Sequence, residues 1–224
     1  MNSPIYNMRP RRQSSIPNVI FVLLIINGAA FALQQMFPVF PRYFLALWPI
    51  GDEYRMTYQM FIEYWPRGIA PFMPWQLVSY SFLHGNLMHI FFNMFALWMF
   101  GRELELMMGQ NRFLIYYFTC VIGAGLVQLI VAGTQGGYYP TIGASGGVFG
   151  ILLAYGLAFP NRMIMLMFPP IPMKAKYFVL FYGLLELYLG VSGSAPGIAN
   201  FAHLGGMLFG FLLLRYWTQH NRRG

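Results

Sequence analysis

Polar residues in this chain are confined to short stretches between long apolar runs, and the runs show no sustained two-residue alternation. Membrane barrel strands alternate apolar and polar over about ten residues, so a barrel does not fit. Six runs, at about 18–37, 77–100, 113–132, 145–159, 177–190 and 199–217, approach the roughly twenty residues a membrane-crossing helix needs. The pattern predicts an all-α, polytopic membrane protein with six transmembrane helices and no internal repeat. The fourth run is too short to cross a hydrocarbon core of about 30 Å. Its amino end is therefore expected below the outer surface, reached by a re-entrant segment around 133–144, where non-helical backbone needs protein shelter or water.

The stretch between the first two runs, about 38–76, holds Phe40, Tyr43, Phe44, Trp48, Tyr58, Phe61, Tyr64, Trp65, Phe72 and Trp75. That is too many rings for a solvated loop. It fits either a segment lying in the membrane interface or a small cap packed on the helix ends. The expected organisation is a basic tail at 1–17, a membrane domain at 18–217 and a second tail at 218–224.

Composition agrees with that class: of 224 residues 58% are hydrophobic and 9% charged, a mixture that cannot be covered by its own polar surface in water. The basic residues are unevenly placed. Arg9, Arg11, Arg12, Arg102, Arg112, Arg162, Lys174, Lys176, Arg215, Arg222 and Arg223 fall in the tails and alternate loops, leaving only Arg42, Arg55 and Arg67 in the others. Positive-inside logic then puts both termini in the cytoplasm, as in a multi-pass protein of a cell inner membrane, with a eukaryotic organelle as the alternative. The net charge of +8 is absorbed by topology, so no nucleic-acid partner is invoked. Arg9, Arg11 and Arg12 before the first run resemble the start of a signal peptide, but no small-residue cleavage pattern follows, and the run reads as a retained anchor. The lone Cys120 excludes an intramolecular disulfide.

Against this background a few polar residues need explaining. Ser145 stands in Gly-Ala-Ser-Gly-Gly at the head of the fourth run, and His203 in Ala-His-Leu-Gly-Gly within the sixth. A hydroxyl and an imidazole are the minimum equipment for nucleophilic catalysis. Counting back from Arg162, Arg215 and Arg102 places Ser145, His203 and His89 roughly 25, 18 and 20 Å above the cytoplasmic boundary. Gly146 with Gly150, and Gly206 with Gly210, give two small-residue faces on which the runs can pack closely. His89 and Asn93, four apart, share a helix face whose donors suit an oxyanion hole, together with the Ser145 N–H at a helix start. Competing readings are Ser145 as a helix N-cap, the histidines and Asn93 as interhelical stitching, and a metal site at His84, His89 and His203. With no His-Glu-x-x-His, no cysteine pair and no acidic ligand at those depths, neither a metal nor another cofactor is expected. No carboxylate is placed to orient His203, so the expected unit is a Ser-His dyad. Glu186, a charge in the fifth run, reads as packing, a gate or a substrate contact.

His-x4-His-x3-Asn, then Gly-x-Ser-Gly, then Ala-His-x-x-Gly on successive even runs resemble the rhomboid family of intramembrane serine proteases over about residues 75–215. The resemblance implies Ser145 as nucleophile, His203 as general base, and His89, Asn93 and the Ser145 N–H as oxyanion donors. It also implies structural roles for His84, Asn200, Gly206 and Gly210, and a helix-tying role for Glu105. Two positions depart from the family pattern. Phe149 stands where a tyrosine is frequent, altering how His203 is held, and Trp75-Gln76 replaces Trp-Arg, which is expected to loosen the interfacial loop. The implied reaction is hydrolysis of peptide bonds in or near transmembrane segments, with single-pass membrane proteins and the lipid bilayer as partners. Alternatives are a catalytically inactive relative that binds membrane proteins, and a small-solute transporter.

Overall fold

The computed structural model describes residues 19–51, 57–64, 68–135, 139–165, 170–194 and 199–220. The basic N-terminal tail, Arg55, Trp65, Arg67, part of the expected re-entrant stretch (136–138) and residues 221–224 lie outside them. Helices dominate: α1 (Val19–Met36), α2 (Val39–Leu45), α3 (Tyr58–Glu63), α4 (Gln76–Ser79), α5 (Leu87–Ala96), α6 (Arg102–Met108), α7 (Gln110–Gln135), α8 (Ser145–Ala158), α9 (Ala175–Ser192) and α10 (Asn200–His220). Among the described residues three helices are long and apolar enough to cross a membrane: Val19–Met36, Gln110–Thr134 and Ala175–Ser192. Leu180, Leu184, Leu187 and Val191 form an exposed apolar stripe along α9, as a lipid-facing surface requires.

The second apolar run is not one helix. After α4 and a 3-10 turn (Tyr80–Phe82) the chain breaks, and a new helix starts at Leu87 because Asn86 is extended and its side chain accepts from the His89 N–H at 2.8 Å, a strong N-cap. Nor does that helix stop at Arg102. It continues through a π-helical turn (Leu97–Gly101) into α6 and ends at Gly109, whose φ of +81° suits glycine. The stretch between α8 and α9 also departs from an all-helical plan, forming an antiparallel pair of strands, β1 (Met163–Met165) and β2 (Pro172–Lys174).

Packing centres on α10, which lies against both α7 and α8. A methyl group at Gly206 would overlap the backbone carbonyl of Gly146, and one at Gly150 would meet Cys120 Sγ. The small-residue faces therefore let α8 and α10 approach backbone to backbone. Tyr116 on α7 donates to the Gly150 carbonyl at 2.7 Å, and Tyr80 donates to the Val121 carbonyl at 2.8 Å. Glu105, buried on α6, accepts from the Val19 and Ile20 N–H groups at 2.9 and 3.0 Å, capping the first described turn of α1.

The aromatic stretch after α1 packs as a small cap with its own core of Tyr43, Ala46, Trp48, Phe61, Ala70 and Leu83. Gln76, fully buried, accepts from the Trp48 and Met73 N–H groups and donates to the Pro71 carbonyl at 3.3 Å. The expected loosening is thus replaced by a tether, because one amide supplies both donors and acceptors to the loop backbone.

Candidate active site

The short length of α8 fixes where its amino end stands, and the segment before it is pinned on two sides. Leu47 and Thr141 exchange backbone hydrogen bonds at 3.0 and 2.8 Å, and the Gly143 N–H donates to the Tyr80 carbonyl at 3.0 Å. Residues 139–144 are non-helical, whereas 133–135 still belong to α7. Gly143 has φ +126°, a conformation open to glycine that turns the chain into the helix. Ala144 is the N-cap and Ser145 the first helical residue. The N-cap reading of Ser145 therefore fails: its hydroxyl bonds elsewhere, and the Ser145, Gly146 and Gly147 N–H groups begin the helix without intrahelical acceptors.

That hydroxyl lies 2.7 Å from His203 Nε2. The contact joins α8 to α10, which the glycine faces hold together. For Ser145 to donate, Nε2 must be unprotonated, so the ring proton resides on Nδ1. His203 is nearly buried, and Phe149 lies flat against it, ring centroids 4.4 Å apart with planes 6° apart.

The expected absence of an orienting carboxylate is corrected by the structure. Glu186, buried on α9, has its Oε2 2.9 Å from His203 Nδ1, and Asn200 Nδ2 donates to the same oxygen at 2.6 Å. Counting from Lys176, ten residues before Glu186, puts that carboxylate roughly 15 Å above the cytoplasmic boundary, near the depth of His203. A signal was present: Asn200 and His203, three apart, share one face of α10, so a carboxylate bonded to the first reaches the second.

His89 and Asn93 face the same space from α5. The Gly85 N–H donates to His89 Nδ1 at 3.2 Å, which leaves the proton on Nε2 and makes that atom a donor. A methyl built on Gly143 would lie 2.8 Å from His89 Nε2 and 3.6 Å from Ser145 Oγ, so the donor and the hydroxyl flank one small volume. Asn93 gives one amide hydrogen to the His89 carbonyl at 2.9 Å and keeps its second. His84 is fully buried and touches His89 ring to ring at 5.1 Å; its backbone is clasped by Gln34, which both accepts and donates. It holds the loop.

Ser145, His203, His89 and Asn93 all line one cavity of about 870 Å³, lined mostly by apolar side chains, between α5, α8, α9 and α10. The arrangement combines a hydroxyl in contact with a base, donors lining the same cavity, and a helix amino end where negative charge is favoured. Acyl transfer needs these groups.

A rhomboid domain is matched over residues 71–220. The chain is similar to "Rhomboid protein 1, mitochondrial" of Saccharomyces cerevisiae, 30% identical over 206 residues, covering 87% of this chain and 52% of that protein. It is likewise similar to "Rhomboid protease GlpG" of Yersinia pestis, 31% identical over 161 residues (70% and 53%), and to "Rhomboid protease GluP" of Bacillus subtilis, 32% identical over 139 residues (61% and 25%). The chain thus spans about half the length of the first two and a quarter of the third.

Proposed function

The chain belongs to the rhomboid family, and from that premise we propose that it is an intramembrane serine endopeptidase that hydrolyses peptide bonds in or near transmembrane segments of other membrane proteins. The observation that carries this reading is the 2.7 Å contact between Ser145 Oγ and His203 Nε2. Ser145 Oγ attacks the carbonyl carbon as its proton passes to Nε2. The carbonyl oxygen becomes an oxyanion, which the Ser145 N–H, His89 Nε2–H and the free Asn93 amide hydrogen receive. His203 then protonates the leaving amine, and the peptide bond breaks to leave an ester on Ser145. Water, giving a proton to His203, hydrolyses that ester and restores both groups.

A helical substrate hides its carbonyls in its own hydrogen bonds, so the scissile stretch must unwind, which favours small or helix-breaking residues there. Single-pass membrane proteins present such a segment most simply. Six membrane crossings with both termini cytoplasmic, in a cell inner membrane, complete the reading, since the basic residues gather in the tails and alternate loops.

The test is cleavage of a reconstituted panel of single-pass substrates, alongside labelling by a serine-directed fluorophosphonate. Wild type is expected to cleave and to label, and Ser145→Ala and His203→Ala to do neither. Folded wild-type protein that binds the panel but neither cleaves nor labels would identify a non-catalytic binder instead.

A further inference from the structure

Nothing in the reaction above uses Glu186, yet among the described residues it is the carboxylate beside the catalytic imidazole. We propose that Glu186 is a positioning residue: from α9 it orients the His203 imidazole and compensates the charge that ring acquires, so that the reacting unit is Ser145, His203 and Glu186 rather than a pair. The inference rests on the protease reading of the same cavity.

Three observations converge. Glu186 is buried, and a buried carboxylate is costly unless hydrogen-bonded and paired. Its Oε2 receives the Asn200 amide at 2.6 Å and lies 2.9 Å from His203 Nδ1. Packing alone would be satisfied by Asn200, but Asn200 sits one turn before His203 on α10, so the clamp holds the carboxylate at the imidazole's edge. Meanwhile His203 Nδ1 is buried and makes no well-aligned hydrogen bond among the described residues, leaving the Glu186 oxygen at 2.9 Å as its neighbouring acceptor. Once Nε2 accepts from Ser145, Nδ1 carries the proton and needs an acceptor, which only a neighbouring oxygen can supply.

In the resting geometry the Nδ1–H does not point squarely at Oε2, as is common in catalytic contacts before substrate binds. When the Ser145 proton arrives at Nε2, the ring becomes cationic in a largely apolar cavity. A carboxylate at 2.9 Å then stabilises the imidazolium without taking its proton, and the contact tightens. Phe149 fixes the plane of the ring from its face while Glu186 fixes its rotation from the edge, and neither constraint replaces the other.

The experiment compares wild type, Glu186→Gln and Glu186→Asp for kcat and KM on a reconstituted substrate, fluorophosphonate labelling rate, and thermal unfolding in detergent. Glutamine preserves shape and can still accept from Asn200 but lacks the charge; aspartate keeps the charge one methylene short. We expect Glu186→Gln to lower kcat and labelling rate by about tenfold or more, with KM and unfolding temperature close to wild type, and Glu186→Asp to fall between. Wild-type kcat and labelling in Glu186→Gln, or losses that merely track a fall in unfolding temperature, would overturn the proposal. If Glu186→Gln does not fold, Glu186→Asp decides: reduced kcat at unchanged KM supports the role, and unchanged kcat refutes it. An inactive, unlabelled wild type would instead remove the protease reading, and this inference with it.

Discussion

Phe149 and His203 lie face to face, 4.4 Å between ring centroids and 6° between planes, although one belongs to α8 and the other to α10. The stack replaces the hydroxyl of a tyrosine with flat contact alone. Aromatic pairs contribute about 0.5–1.5 kcal/mol beyond area, so Phe149→Leu should cut kcat by roughly tenfold at most, whereas Phe149→Tyr should keep wild-type activity. Steady-state cleavage of a reconstituted substrate checks both.

Gly206 has no room for a side chain. Its added methyl would meet the Gly146 carbonyl, which is backbone and cannot swing away, so α8 and α10 would have to separate. Overpacking of this kind costs about 1–3 kcal/mol, and the displacement also parts Ser145 from His203. Gly206→Ala is expected to lower the unfolding temperature in detergent and to abolish fluorophosphonate labelling, while Gly28→Ala, where a methyl meets nothing within 4 Å, should change neither.

Gln76 is the hub of the cap. Removing it leaves the buried Trp48 N–H and the Met73 N–H without their acceptor, at about 1–3 kcal/mol for a buried unsatisfied group. Gln76→Leu should therefore destabilise the fold and open the cap to limited proteolysis before the helices unfold. Equal protease resistance in wild type and variant would contradict the tethering role.

Two glutamates on one helix should behave oppositely. Glu105 is buried and takes two N–H groups at the start of α1, whereas Glu103 pairs with Arg162 at an exposed site. Hydrogen bonds to charged groups contribute about 1.5–3 kcal/mol each, and exposed ion pairs about 0–1 kcal/mol. Glu105→Ala should lower the unfolding temperature clearly and Glu103→Ala hardly at all, as scanning fluorimetry in detergent would register.

The apolar runs announced the helices because lipid exposure is a local property of each segment, readable from Phe21, Leu184 or Leu208 without their neighbours. Ser145, His203, His89 and Asn93 were legible for the same reason: each is a polar residue in apolar surroundings, and glycine spacing showed which faces could meet. The break before Leu87 was also written locally, in Asn86 as a cap, but the long apolar run concealed it. Gln76 was misjudged since its worth depends on which backbone groups surround it, and those come from residues 43–73.

Hydrophobic length and helical periodicity act over neighbours in the chain, and so they carried the helical membrane class, the approximate helices and four polar side chains of the candidate site. Packing between helices is what brings the Ser145 hydroxyl to His203 instead of its own helix end, keeps space open at Gly143 beside His89, and sets Glu186 at the imidazole's far edge. Those are relations among α5, α8, α9 and α10, set by how closely glycine lets backbones approach, and no single segment carries them.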